Sequence, residues 1–498
     1  MALAKVLSRA QCGLEALPVT VEVHAGGGLP GFSIVGLPAT AVRESRDRVR
    51  AALSNCGFDF PAGRVIVNLA PADLPKEGGR FDLPIAVGVL AASGQLPDQR
   101  LRATELLGEL SLNGDLRPVY AALCAAIAAG RAGRALVLPA ASAAEAALAG
   151  IGEVRAAEHL LGVAGHLSGR QPLPEPVAPR SEAGAESNAD LADVRGQQRG
   201  RRLLELVAAG GHNLLLVGPP GTGKTMLARR LPGLLPPLEA SAALEVAAIA
   251  SAAGRAFRIA DWGRRPFRAP HHSASGPALT GGGAHPRPGE VTLAHRGVLF
   301  LDELPEFARS ALEALRQPLE EGELTVSRAA LQRTFPARFM LVAAMNPCPC
   351  GYLGDPRGNC RCSADAVQRY RARISGPLLD RIDLAAEMPR PEPAALLGPP
   401  GEGSPAVAAR VAAVQERSLA RQGCLNARLE GSALDWHAEL GSAERALLAR
   451  ASLKLALSAR AQVRVRRVAR TIADAAGAPR IEAPHLAEAL AARPVVGA

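Results

Sequence analysis

The chain has 498 residues, 48% hydrophobic and only 3% aromatic, with a formal net charge of +10. That length exceeds a single core and calls for about three domains, and no apolar run reaches the ~18–20 residues of a membrane span. The basic excess points to a polyanionic partner, while the scarcity of aromatic rings argues against a base-stacking platform, so any grip on nucleic acid runs through phosphates.

The N-terminus, Met1-Ala-Leu-Ala-Lys-Val-Leu, lacks the apolar core and cleavage site of a secretory leader, so a cytoplasmic location is expected. The eight cysteines are then read as reduced or metal-bound rather than disulfide-paired. In the first segment the patterning predicts strands at 19–24 and 65–69 and helices at 41–55 and 83–92. Residues 171–188, rich in Pro, Glu and Ser, read as a linker.

Next come Asn213-Leu-Leu-Leu-Val217 and then Gly218, Pro219, Pro220, Gly221, Thr222, Gly223, Lys224 and Thr225. This is the G-x-x-x-x-G-K-[ST] phosphate loop in its strand–loop–helix context. Glycines allow successive amides to point inward at phosphate oxygens, and the following helix adds its positive end. Lys224 is placed to reach the outer phosphates and Thr225 to ligate Mg2+, so the expected ligand is ATP or a similar triphosphate.

Downstream, apolar strands at 214–217, 298–301 and 340–344 suit a buried parallel sheet. The second of them ends in Asp302 and Glu303. A carboxylate pair at the carboxyl edge of such a sheet can hold the Mg2+ (Asp302) and deprotonate the attacking water (Glu303). Asn346, ending the third strand, is read as a positioner of the same water. His271 and His272 stay open between metal or phosphate binding and a loop role without chemistry. Glu323–Arg328 and residues 331–335 alternate like a hairpin, with Arg328 and Arg333 near its tip as candidates for DNA phosphates or as solvated arginines. Arg381, in Leu378-Leu-Asp-Arg-Ile-Asp383, is read as an arginine delivered to a neighbouring subunit's phosphates, or as an ion pair with Asp380 or Asp383.

Cys348, Cys350, Cys360 and Cys362 form two close pairs across a Gly-rich loop, which suits a structural Zn2+ with four thiolates and no open coordination site; free thiols are the alternative. Residues 389–405, rich in Pro and Gly, form a second break, and everything after it has helical periodicity. Residues 445–473 carry eight Lys/Arg and no acid, and Arg460, Arg464 and Arg467 share one helix face.

Taken together, the phosphate loop, GVLFLDELPEF, the Asn after LVAAM and GPLLDRIDL resemble the magnesium-chelatase-like branch of the AAA+ ATPases, in its competence protein M type. The likeness extends to VEVHAGGGLPGFSIVGLP and RPFRAPHHSASGPALTGGG, and so to nearly the whole chain. It implies an α/β fold with three parts: a Lon-protease-like (ribosomal S5 domain 2-like) α/β domain at 1–170, an AAA+ P-loop core with a parallel sheet at 191–388, and a helical lid at 407–498. Residues 171–190 and 389–406 are the linkers. It also implies a hexameric ATP-driven DNA helicase promoting branch migration during natural transformation, with the hairpin in the ring pore. The lid sends a second sensor arginine to the γ-phosphate, Arg460 first and Arg464 or Arg467 as rivals. Pro75-Lys-Glu-Gly-Gly-Arg-Phe-Asp-Leu-Pro84 resembles the Lon-type protease region, but Arg80, Phe81 and Asp82 stand where its Ser would, so no proteolysis is expected. The competing readings are a magnesium-chelatase motor subunit and a protein-remodelling ATPase that does not act on DNA.

Overall fold

Seven runs of extended residues in the N-terminal third pair into one mixed sheet. The computed structural model describes residues 2–36, 39–177, 189–255, 258–282, 287–328, 331–356 and 359–494, which form two compact units.

In the first unit the sheet comprises β1 (Ala2–Cys12), β2 (Glu15–Ala25), β3 (Gly31–Val35), β4 (Arg64–Ala70), β5 (Thr104–Leu106), β6 (Ala135–Pro139) and β7 (Val154–Ala157). Their order across the sheet is β3, β4, β2, β1, β5, β6, β7. Alternation sets the faces: Val19, Val21 and Val23 of β2 are fully buried, with Val65, Val67 and Leu69 of β4 beside them. The helix Asp82–Ala92 is apolar nearly all round and buried over nearly its whole length, as an element inside a core must be. The unit also takes in Ala243–Trp262, from the stretch between Lys224 and Asp302. Ala247 and Ala252 there pack with Leu123, Ala126 and Ala146. The strands predicted at 19–24 and 65–69 and the helices at 41–55 and 83–92 all lie within elements of this unit. Of the linker, residues 178–188 lie outside the described residues.

The second unit is built on a parallel sheet of β8 (Leu214–Val217), β9 (Phe267–Arg268), β10 (Val298–Leu301), β13 (Met340–Met345) and β14 (Leu384–Glu387). The order is β9, β10, β13, β8, β14, so the strand bearing the phosphate loop and the one bearing Asp302 flank β13. All side chains of β10 and β13 are buried, which explains their unbroken apolar sequence. Between them lies an antiparallel hairpin, β11 (Glu323–Arg328) and β12 (Leu331–Pro336), with Val326 opposite Arg333 and Arg328 opposite Leu331.

At the amino edge of this sheet Asn213 ties three strands together. Its backbone N–H donates to Asp383 (2.8 Å), its side-chain oxygen accepts from Leu341 N–H (2.7 Å), and its side-chain amide donates to the Arg381 carbonyl (2.8 Å). A short helix, Pro393–Leu397, interrupts the second predicted linker. Beyond it helices Ser404–Gln422, Ser442–Lys454, Ala459–Ala475 and Ala483–Ala491 pack into the same core as the sheet, through Val411, Val465, Val468 and Ile472. Ser458 caps the basic helix by accepting from Ala461 N–H at 3.2 Å.

Candidate active site

The carboxyl edge of the parallel sheet gathers the charged groups. β8 runs directly into the phosphate loop, and Gly223, at φ +90°, turns the backbone into the helix Lys224–Ala228. Lys224 is 8% exposed. Its Nζ donates to the carbonyls of Gly218 (2.7 Å) and Pro219 (2.9 Å) and to Asn346 Oδ1 (3.2 Å). Burial lowers its pKa, opposed by the charges of Asp302 and Glu303. Thr222 Oγ1 donates to the Pro219 carbonyl at 3.0 Å, and Gln197 Nε2 donates to the Thr222 carbonyl at 3.0 Å. Gln197 thus steadies the loop from outside; nothing in its local sequence marks it.

Thr225 Oγ1 donates to Asp302 Oδ2 at 2.7 Å, so a hydroxyl and a carboxylate meet at the end of β10. These hard oxygen ligands, beside a phosphate-binding loop, fit Mg2+. Glu303 adopts φ +54°, uncommon for a residue with a side chain and a mark of a constrained site. Its Oε2 lies 3.0 Å from His272 Nδ1. Since a carboxylate only accepts, the imidazole N–H donates. The His271 ring lies against that of His272, tilted by 34° with ring centres 4.1 Å apart, and reaches Ser273 Oγ at 2.8 Å. Of the two open readings of this histidine pair, neither named Glu303; the pairing arises because β9 lies beside β10 and brings the His pair to the same sheet edge.

The arginines divide. Arg381 is 9% exposed; it pairs with Glu320 and its Nε donates to the Arg316 carbonyl at 3.2 Å. The intrachain acid is therefore Glu320, not Asp380 or Asp383. Asp380 instead pairs with Arg464 (3.2 Å), and Asp383 accepts from Asn213 N–H. Arg460 is 67% exposed, with its nearest carboxylate oxygen also on Glu320 at 4.0 Å. Arg467 donates to the Leu429 carbonyl at 2.7 Å and pairs with Glu430 at 3.2 Å. The described side-chain contacts thus join Lys224, Asn346, Thr225, Asp302 and Glu303 into one site, and hold Arg381, Arg460, Arg464 and Arg467 on other partners. Arg333 sits in the third residue pair from the hairpin end, and the Arg328 side chain lies outside the described residues.

The metal-ligating atoms of Cys348, Cys350, Cys360 and Cys362 all lie within 4.8 Å of one another. The closest pairs are Cys348–Cys350 at 3.4 Å, Cys350–Cys360 at 3.6 Å and Cys348–Cys360 at 3.7 Å. A tetrahedron with Zn–S bonds of ~2.3 Å has edges of about 3.8 Å, so the sulfurs already approximate one, whereas a disulfide needs ~2.05 Å. In the first unit, Arg80 is buried and donates to the Tyr120 carbonyl, and Asp82 is buried against Ser45 and Arg48. No hydroxyl stands at 79–82.

A phosphate loop, a Thr–Asp pair, a second carboxylate at Glu303 and an Asn on adjacent strands of a parallel sheet, backed by a helical lid, define a P-loop ATPase core of the AAA+ type. Family comparisons agree. Residues 190–396 match magnesium chelatase, subunit ChlI; residues 21–142 match subunit ChlI of Mg-chelatase; residues 401–493 match its C-terminal part. Over 99% of this chain and 98% of its own length, uncharacterized protein YifB of Salmonella typhimurium is 51% identical. Competence protein ComM of Haemophilus influenzae is 49% identical over the whole chain and 98% of its own length. Lon protease 2 of Bacillus subtilis is 27% identical over 36% of this chain. The chain belongs to the magnesium-chelatase-like AAA+ family, ComM/YifB type. ATP and Mg2+ are the ligands that go with that family. No helix among the described residues is long and apolar enough to cross a membrane.

Proposed function

We propose that the protein is an ATP-hydrolysing ring motor that moves on DNA, a helicase or branch-migration machine acting in recombination during natural transformation. The observation that carries the motor reading is the convergence of Lys224, the Thr225–Asp302 pair, Glu303 and Asn346 at one sheet edge. The DNA reading is supported by the net charge of +10 and by the competence designation of the Haemophilus relative.

In this reading the loop amides and Lys224 bind the phosphates, exchanging loop carbonyls for phosphate oxygens. Thr225 and Asp302 would hold Mg2+, which would supply charge neutralisation for the transferred group. Asn346 orients a water molecule. Its oxygen bonds to the γ-phosphorus as the bond to the bridging oxygen breaks, and Glu303 takes the water proton. ADP and phosphate leave. Arg381 serves as a finger to the next subunit, which requires it to leave Glu320, and an arginine of the lid helix, Arg460 first, senses the γ-phosphate. The ring is a hexamer whose pore hairpins, bearing Arg328 and Arg333, touch DNA phosphates. The four cysteines hold a structural Zn2+.

The experiment is ATPase measured with and without forked or four-way DNA, alongside gel filtration with ATP. Rings with DNA-stimulated hydrolysis support the reading. Hydrolysis indifferent to every DNA form would sink its DNA part.

A further inference from the structure

The cysteine loop lies against the phosphate loop. Between the end of β13 at Met345 and the helix starting at Ala364, the described residues contain neither helix nor strand. Such a stretch has no ladder of backbone hydrogen bonds to fix it, yet it touches the site at its most sensitive point. Cys348 is fully buried two residues after Asn346, which bonds Lys224. The Gly351 N–H donates to the Cys348 carbonyl at 3.0 Å, closing a turn in which Gly351 has φ +86°. A Cβ there would come within 2.7 Å of Pro220 Cδ and 2.9 Å of Cγ, with Asn346 Cγ at 3.8 Å. The turn therefore rests on the second proline of the phosphate loop. Farther along, Asp355 is buried against Arg390, with Nε at 3.1 Å and NH2 at 3.0 Å, while Arg390 follows Pro389, whose carbonyl accepts from Gln197 at 2.7 Å. Gln197 also holds Thr222. The cysteine loop thus bears on the phosphate loop from one side directly and from the other through Arg390 and Gln197.

We infer that the four-cysteine knuckle is a brace for the nucleotide site, so that binding of a thiolate-preferring cation controls affinity for ATP. The inference rests on the metal reading above and goes beyond a merely stable loop. Cross-linking four sulfurs that lie within 4.8 Å of one another fixes the turn carrying Gly351, and that turn fixes Pro220 and the Asn346–Lys224 contact. Releasing the cation leaves the turn to its few hydrogen bonds, the packing of Cys348 and Gly351 and the more distant Asp355–Arg390 pair, and the wall of the phosphate loop loosens.

The test uses the full-length protein, with zinc per chain measured by atomic emission and affinity measured with a fluorescent ATP analogue. Stripping with a chelator should weaken binding at least tenfold, and added Zn2+ should restore it. Cys350→Ser combined with Cys362→Ser should weaken it without rescue. Gly351→Ala should weaken it at least tenfold while the protein keeps its zinc. Gly354→Ala, at φ +79° in the same loop with nothing within 4 Å of the new carbon, should stay within twofold. Stripped protein that binds as tightly as loaded protein, or a Gly351→Ala variant that binds like Gly354→Ala, overturns the brace. Protein that carries no zinc and takes none up overturns the metal reading beneath it.

Discussion

Asp474 in the helix Ala459–Ala475 offers a sharp test of how the lid is held. Its side chain is fully buried and accepts from Arg421 NH1 at 2.6 Å and NH2 at 2.9 Å, from Arg470 NH2 at 3.0 Å and from Asn426 Nδ2 at 2.8 Å. Arg470 is itself only 2% exposed. Asp474→Asn keeps the volume but leaves two guanidinium groups with no countercharge, one of them buried. Removing one partner of such a buried pair costs about 3–5 kcal/mol. At ~2–4 °C per kcal/mol for a domain of this size, the transition of the lid-bearing unit should fall by about 6–20 °C. The exposed pair Arg466–Asp435, with the acid 72% exposed, is the control; Asp435→Asn should cost about 0–1 kcal/mol.

The pH dependence has a definite sign. Burial alone would raise the Asp474 pKa, but the hydrogen bonds from Arg421 and Asn426 and the charge of Arg470 outweigh it and hold the carboxyl below its usual range. A carboxylate with a depressed folded pKa contributes stability above its unfolded value near ~4 and loses it as the pH falls through the folded value. Thermal melts of the two proteins should therefore differ most near neutrality and converge in acid. A difference within about 2 °C at pH 7, or one that persists undiminished in strong acid, would refute this account of the lid.

Three further outcomes are expected. His272→Ala should lower kcat for ATP roughly 10- to 100-fold with KM little changed, because the Glu303 carboxylate loses the donor that orients it; His272→Asn, which places an amide near the Nδ1 position, should recover much of the rate. Arg381→Ala should reduce hydrolysis by ~10³-fold while nucleotide binding persists, whereas Glu320→Ala, which removes only the intrachain partner, should spare hydrolysis; equal losses in both variants mean that Arg381 is structural. Lys224→Ala should abolish binding of the fluorescent ATP analogue, since no other lysine contacts the phosphate loop among the described residues.

Motifs whose chemistry is local were legible in the sequence. The phosphate loop, the strand ending in Asp302 and Glu303, and the strand ending at Asn346 declare themselves by apolar runs that stop at a polar residue, because a parallel strand covered on both faces tolerates nothing else. Contacts between distant segments were not legible. The Glu303–His272 pair depends on β9 lying beside β10, and the Arg381–Glu320 pair depends on a helix end more than fifty positions away. β1 was also missed. Its inward face includes Ser8, and Arg9 is 5% exposed, so the alternation is broken; the carboxylate that makes this tolerable, Glu105, lies 96 positions on, with Arg9 NH2 2.8 Å from Oε1. Packing of Ala243–Trp262 with the first unit likewise has no local signature beyond a run of small residues.

The central claim is that hydrolysis at this site drives movement on DNA. The most direct measurement follows a labelled four-way junction as the purified protein converts it to two duplexes. Conversion that needs ATP and Mg2+ and disappears in Glu303→Gln, which still binds nucleotide, is the predicted result. A protein that assembles and hydrolyses ATP yet leaves the junction untouched would contradict it.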